Sequence, residues 1–277
     1  MTSTTGAPQG RLGARWAWAA IAAAAWLALA GCASRQADPD IASAGVVTPS
    51  DESEARRRAR IRLELAVGYF EQGKVDVALD ELKQVLAIDP AFGEAYNLRG
   101  LIYMRLNDMR QAEDSFRRAL SFNPRDANTL HNYGWMQCQA GRFDESFRQF
   151  ELAMSNPLYT ERAKTLMALG LCQARAGRTE DAERSLARSY ELDAGNPVTG
   201  YNLANLLFRR GDFQRAQFYI RRLNNSELAN AETLWLGIKV ERRMNDRDAM
   251  QQLGDQLRKR FPQSRERQAY DRGAFDE

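Results

Sequence analysis

The composition of the chain is that of an ordinary globular protein. Of its 277 residues, 44% are hydrophobic and 27% are charged, which fits one or two folded domains. It has 39 lysine and arginine residues against 36 acidic residues, a formal net charge of +3. Nucleic acid is not expected as a partner, because phosphate binding needs a marked excess of positive charge.

Residues 1–31 are predicted to be a signal peptide. Two arginines precede an apolar run over residues 16–29, which ends in small residues and is shorter than the roughly 18 residues of a membrane span. The stretch LAGC, residues 29–32, resembles the bacterial lipobox, in which the cysteine is diacylated and the chain is cut just before it. The resemblance implies a lipid anchor at Cys32, and Ala33 in place of an aspartate favours the outer membrane. The alternative is an ordinary signal peptide with a chance cysteine.

Residues 32–58 are predicted to be the lipidated N-terminus and a flexible tether. The stretch 33–58 has few large apolar groups and two prolines, and a flexible chain of that length reaches on the order of 30 Å. Cleavage before Cys32 removes two of the arginines and no acid, which leaves 37 basic residues against 36 acidic ones. We therefore expect a nearly neutral body that stands off the periplasmic face of the outer membrane.

From Ala59 onward the sequence repeats with a period of 34 residues. The interval separates Gly100 from Gly134 and Phe116 from Phe150, and a two-residue insertion falls in the loop around residues 156–159. Each unit has the pattern of the tetratricopeptide repeat, and the six units start near Ala59, Gly93, Ala127, Ala163, Pro197 and Asn230. The predicted fold is all-α: a right-handed superhelical solenoid of six repeats over residues 59–263, with a C-terminal tail at 264–277.

Small residues in this pattern are predicted to be packing devices. A glycine inside a helix costs roughly 1 kcal/mol relative to alanine, so Gly134 needs a compensating role. We expect it to lie where two helices cross closely, making room for Phe150.

The residues that could take part in catalysis do not form a known catalytic pattern. The chain has one histidine, His131, and no sequence motif for nucleotide binding, zinc-dependent hydrolysis or a serine nucleophile. We expect no enzyme activity, metal site, cofactor or small-molecule substrate. A hydrolase that uses His131 is the remote alternative.

Two cysteines in the repeats are predicted to form a disulfide. Cys138 and Cys172 lie 34 residues apart in the first helices of adjacent units, and an exported protein meets an oxidising compartment. The alternative is that both are small buried hydrophobic residues.

The concave inner face, formed mainly by the first helix of each unit, is the predicted partner-binding groove. The candidates are positions on the exposed side of the first helices of units one to three: Leu63, Val67, Phe70, Asn97, Leu101, Met104, His131, Trp135 and Gln139. Several are apolar, as suits an amphipathic peptide or a sheet edge. The alternative for Trp135 is a place in the core.

The lipobox, the repeats and three local phrases together resemble the type IV pilus biogenesis and stability lipoproteins of the PilF/PilW type. The phrases are HNYGWMQC at 131–138, LGLC at 169–172 after NPLY, and TLWLGIKVERRMNDRDAM from residue 233 with a closing RFPQS. Met136-Gln137 and Thr233 depart from the usual residues. The resemblance implies a pilotin, which binds the pilus secretin and promotes its outer-membrane localisation and multimer assembly. An adaptor for cell-wall enzymes or outer-membrane protein assembly is the alternative.

Overall fold

A computed structural model describes residues 1–3 and 52–275 of the chain. Nearly all of the predicted signal peptide, Cys32 and most of the predicted tether lie outside these ranges. The statements below concern the body that begins at Ser53.

The described body consists of helices joined by short turns. Its thirteen helices are α1 Glu54–Glu71, α2 Val75–Ile88, α3 Gly93–Arg105, α4 Met109–Phe122, α5 Ala127–Gln139, α6 Phe143–Ser155, α7 Arg162–Arg175, α8 Thr179–Leu192, α9 Pro197–Arg209, α10 Phe213–Asn224, α11 Ala231–Arg243, α12 Arg247–Arg260 and α13 Arg265–Arg272. Helices α1 to α12 pair into six consecutive hairpins, and the second helix of each unit packs on the first helix of the next. The predicted all-α solenoid of six tetratricopeptide units is confirmed.

Each hairpin turns at a residue with left-handed backbone. These residues are Gly73, Asn107, Gly141, Gly177, Gly211 and Asn245, with φ between +58° and +83°. Glycine and asparagine are the residues that adopt this conformation at least cost. The interval between them is 34 residues, except for 36 between Gly141 and Gly177. The extra two residues lie in the loop over 156–161 between α6 and α7, where the sequence predicted them.

Glycines inside the first helices allow close helix crossing. A Cβ atom built on Gly100 would lie 2.6 Å from the ring of Phe116, and one on Gly134 would lie 3.1 Å from the ring of Phe150. Both phenylalanines have no exposed surface. Gly134 is therefore a packing device, as predicted.

Both ends of the repeat domain differ from the predicted boundaries. Helix α1 begins at Glu54, where the hydroxyl of Ser53 accepts a hydrogen bond from the Arg56 amide, so the last residues of the expected tether are helical. The expected C-terminal tail contains α13, which packs on α11 and α12. Tyr270 and Phe275 belong to an apolar cluster with Trp235, which stacks on Phe275 at 5.5 Å. A terminal unit of a solenoid has an open apolar side, and this segment covers it.

Candidate protein-binding face

First helices of neighbouring units lie side by side in units one to four and again in units five and six. Helix α3 contacts α1 and α5, α5 contacts α7, and α9 contacts α11. The Nδ2 atom of Asn132 donates a hydrogen bond to Oδ1 of Asn97 at 3.0 Å, which joins units two and three. Side chains from different repeats can therefore meet one ligand on the surface of these helices.

Seven of the nine predicted groove residues are partly or fully accessible. We call them the inner face: Val67, Phe70, Asn97, Leu101, Met104, Trp135 and Gln139. Val67 and Gln139 are exposed and the other five are half-buried. Five of the seven are apolar residues.

The other two predicted groove residues are buried and do not present a surface to a partner. Leu63 is 8% exposed and belongs to the core cluster of the first unit, with Ala59 and Leu82. Its helix lies against α2, and Leu63 is directed toward that contact. Leu63 is thus a core residue and not a groove residue.

His131 is the second correction. It is 7% exposed, and its Nδ1 atom lies 2.8 Å from the hydroxyl of Thr165 in the next unit, which also lies 2.9 Å from the hydroxyl of Tyr159. Burial, assisted by the charge of Lys164, lowers the pKa of His131 from 6.5 to about 4. The imidazole is therefore neutral at pH 7 and stabilises the contact between units three and four.

Trp135 serves both the core and the surface. Its ring packs against the buried cluster that includes Cys138, Phe150 and Cys172, yet the residue is only half-buried. Neither of the two sequence interpretations describes it alone. The side chain forms part of the floor of the inner face.

Cys138 and Cys172 form a disulfide between α5 and α7, with Cα atoms 5.9 Å apart. Both residues are fully buried. The hydroxyl of Ser146 lies 3.5 Å from Sγ of Cys172. The bond joins units three and four at the pair of repeats that carries the two-residue insertion.

Four arginines at equivalent positions were not singled out by the sequence analysis. Arg105, Arg175, Arg209 and Arg243 each precede a left-handed turn residue by two positions, and all four are exposed. We call them the arginine row; Gln139 holds the same position in unit three. The 34-residue period applied to the last turn of each first helix would have found them.

A separate cleft lies between α10, α11 and α12 and contains a buried acid. Its volume is about 410 Å³, and Arg221, Asn224 and Glu241 contribute to its lining. Glu241 has no exposed surface; its Oε1 and Oε2 atoms accept hydrogen bonds from Arg221 at 2.7 and 2.8 Å, and Oε2 also accepts one from Gln217 at 2.7 Å. This arrangement connects the last two repeats.

Two further features concern the part of the chain that the structure describes. There, no group of three or more histidine, cysteine or acidic side chains is placed to hold a metal ion. None of the helices in residues 52–275 combines the length and the apolar character needed to cross a membrane.

Comparison with known families identifies the repeat type. Two tetratricopeptide-repeat profiles match residues 68–107 and 93–126. The type IV pilus assembly protein PilF of Pseudomonas aeruginosa is 27% identical over 232 residues, a match that covers 82% of this chain and 92% of PilF.

Solved structures of PilF and PilW resemble the described fold. The structure of Pseudomonas aeruginosa PilF superposes with a TM-score of 0.72 at 25% identity, covering 80% of this chain and all of that one. PilW, described as a widely conserved type IV pilus biogenesis factor, superposes with a TM-score of 0.70 at 29% identity, covering 76% of this chain and 97% of that one. The tetratricopeptide-repeat protein YrrB, at 13% identity and a TM-score of 0.55, shares the fold.

Proposed function

This chain is a tetratricopeptide-repeat protein of the PilF and PilW type, and we propose that it acts in type IV pilus biogenesis by binding the pilus secretin and promoting its assembly into multimers. The match spans 92% of PilF and the full length of its solved structure. It therefore extends well beyond one shared repeat to the whole scaffold, which supports a similar role.

The observation that carries the binding proposal is the apolar, partly accessible inner face. Phe70, Leu101, Met104 and Trp135 keep part of their surface accessible on adjoining helices. A contiguous apolar surface on a folded protein commonly marks an interaction site. A segment of the secretin, bound as an amphipathic helix or an added strand, is the occupant that this surface suits.

We further propose that the protein is anchored to the periplasmic face of the outer membrane through an acylated Cys32. The LAGC stretch supports this placement. A Cys32→Ser variant should lose acyl labelling and outer-membrane fractionation but keep its helical circular dichroism. Acylation and outer-membrane fractionation of that variant would contradict the anchor.

The binding proposal is tested with a Leu101→Gln/Trp135→Gln double variant, expressed in cells that lack the native protein. The matched control is Leu152→Gln/Phe218→Gln, which changes two apolar residues of second helices that are 53% and 62% exposed. Both variants should keep near-native helical content. Only the inner-face variant should lose secretin when the protein is purified from solubilised outer membranes, and only its cells should have fewer secretin multimers.

Two outcomes would overturn parts of the proposal. A folded, anchored inner-face variant that retains the secretin would remove this face as the binding site. The second outcome has two parts: secretin multimers are unchanged when the whole gene is deleted, and the protein captures cell-wall enzymes or outer-membrane assembly factors instead. This result would favour the adaptor role over the pilotin role.

A further inference from the structure

The arginine row lies on the last turns of four first helices. Arg105 ends α3, Arg175 ends α7, Arg209 ends α9 and Arg243 ends α11. Leu101 and Met104 of the inner face precede Arg105 by four positions and one position. Residues four positions apart lie on the same side of a helix, so Arg105 lies beside Leu101 of the inner face. The other three arginines hold the equivalent position in their own units.

The four guanidinium groups have no carboxylate partner within residues 52–275. Arg105 donates to the backbone oxygen of Phe70 at 3.3 Å, and the Nη1 atom of Arg175 lies 4.0 Å from Sγ of Cys138. Arg243 lies over the ring of Phe213 at 4.2 Å. The contacts of Arg105 and Arg175 reach the first helix of the preceding unit, which places these two arginines along the inner surface.

Arginines at other positions of the same repeats behave differently. Arg142 pairs with Glu113 at 2.9 Å, Arg178 pairs with Asp144 at 2.7 Å, and Arg210 pairs with Glu183. Within residues 52–275, these three arginines thus have acidic partners, whereas the arginines of the row have none. Its members are tolerated because the carbonyl ends of their helices favour a cation.

Positive charge is further concentrated around units five and six. The ammonium of Lys239 lies 5.8 Å from the ring centre of Phe208 and 5.6 Å from that of Trp235. Burial, together with the charge of Arg209, lowers the pKa of Lys239. An anionic group bound here would relieve that repulsion.

We infer, on the basis of the proposed binding function, that the protein segment held on the inner face is acidic and amphipathic, with its carboxylates bound by the arginine row. Its apolar side chains would contact Leu101, Met104 and Trp135. Guanidinium groups bind carboxylates through two parallel hydrogen bonds. Neighbouring helices lie about 8 to 10 Å apart, a distance that about three residues of an extended chain span, so one short segment can reach the arginines of adjacent units.

The first test compares three synthetic peptides of equal length by fluorescence anisotropy with the full mature chain. Each carries the same leucines, with glutamate, glutamine or lysine at the remaining positions. The glutamate peptide should bind at least tenfold more tightly than the glutamine peptide, with an affinity that falls as salt rises. Equal binding of these two peptides, or tighter binding of the lysine peptide, would overturn the inference.

The second test neutralises the row. Arg175→Gln and Arg209→Gln should each lower the affinity for the glutamate peptide about three- to fivefold, the range of an exposed ion pair. The affinity for the glutamine peptide should not change. The control is Arg184→Gln/Arg188→Gln, which removes two arginines of α8 that pair within their own helix with Asp181 and Glu191. If the control weakens binding as much as the row variants, general charge explains the effect and the inference falls.

The third arm separates this inference from a membrane role and from the proposed function. The protein is also tested for binding to vesicles of phosphatidylglycerol and phosphatidylethanolamine. If it binds the vesicles through the arginine row, and more tightly than it binds the glutamate peptide, lipid binding would replace the inference. Secretin that co-purifies equally with wild-type protein and the Arg175→Gln/Arg209→Gln variant would refute the acidic occupant and keep the proposed function. Secretin that fails to co-purify with wild-type protein would refute the proposed function.

Discussion

The ring of Phe116 lies so close to Gly100 that an added Cβ atom would be 2.6 Å from it. Phe116 is fully buried, so neither the ring nor the helix has free space for an extra carbon. Gly100→Ala should therefore lower the free energy of unfolding by about 1 to 3 kcal/mol, as expected for overpacking. Chemical denaturation of the purified repeat domain measures this change.

Gly68 provides the matched control for that substitution. It also lies inside a first helix, α1, but a Cβ atom there would meet nothing within 4 Å. Gly68→Ala should raise the free energy of unfolding by up to about 1 kcal/mol, because alanine is the better helix former. Destabilisation by both substitutions to the same extent would show that close packing is not what Gly100 provides.

The repeated packing of this fold could be predicted from sequence because it recurs. One turn glycine or one buried phenylalanine carries little information, but Gly134 and Phe150 repeat Gly100 and Phe116 at a fixed interval. The two-residue insertion could be predicted from the same repeat interval. It lies in a turn because two extra residues in a helix would shift the residues that pack at helix crossings.

Features that occur once were harder to predict. Helix α13 has a strongly charged sequence, and its Tyr270 and Phe275 acquire a role only against Trp235 of the last unit. Leu63 and His131 were assigned to the groove by their repeat position, yet each is turned toward a neighbouring helix. The face that a helical side chain presents depends on the rotation of the helix, which a period does not specify.

The disulfide between Cys138 and Cys172 should make the repeat domain sensitive to reduction. Closing a loop between residues 34 positions apart stabilises the fold by about 3 to 4 kcal/mol in the chain-entropy view. Thermal unfolding with and without reductant measures the loss, and a Cys138→Ala/Cys172→Ala variant should show no such dependence. Peptide mapping of untreated protein should recover the two linked peptides; complete alkylation of both thiols in unfolded, unreduced protein would rule the bond out.

The ion pair between the fully buried Glu241 and the partly exposed Arg221 should be important for the last two repeats. Arg221→Met would leave a fully buried carboxylate with Gln217 as its remaining hydrogen-bond donor. We expect the free energy of unfolding to fall by about 1 to 3 kcal/mol, the cost of leaving a buried polar group short of a hydrogen-bond partner. Arg222→Met, an exposed neighbour on the same helix, should change it by less than about 0.5 kcal/mol. Equal effects of the two substitutions would mean that the pair does not stabilise the fold.

Because His131 is the only histidine in the chain, its contribution to the pH dependence of stability can be isolated. Its pKa falls from 6.5 in the unfolded chain to about 4 in the folded protein, chiefly through burial. Between these values the unfolded chain binds a proton that the folded protein does not. The contribution to stability is therefore complete above about pH 6.5 and is lost as the pH falls toward 4.

The expected size of this effect is about 1.4 kcal/mol per pH unit within the interval, or about 3 to 4 kcal/mol over the whole interval. The measurement is denaturant unfolding of protein without a polyhistidine tag at pH 7 and pH 4.5, compared with His131→Asn, which cannot titrate. Wild-type protein should lose more stability than the variant on acidification. Acidification also protonates acidic residues, but this affects both proteins alike. The additional loss of stability in the wild-type protein is therefore due to His131. The imidazole resonance of the folded protein should also show no titration near pH 6.5. A histidine resonance that titrates there, with equal acid sensitivity of the two proteins, would mean that His131 is accessible to water and belongs to the groove after all.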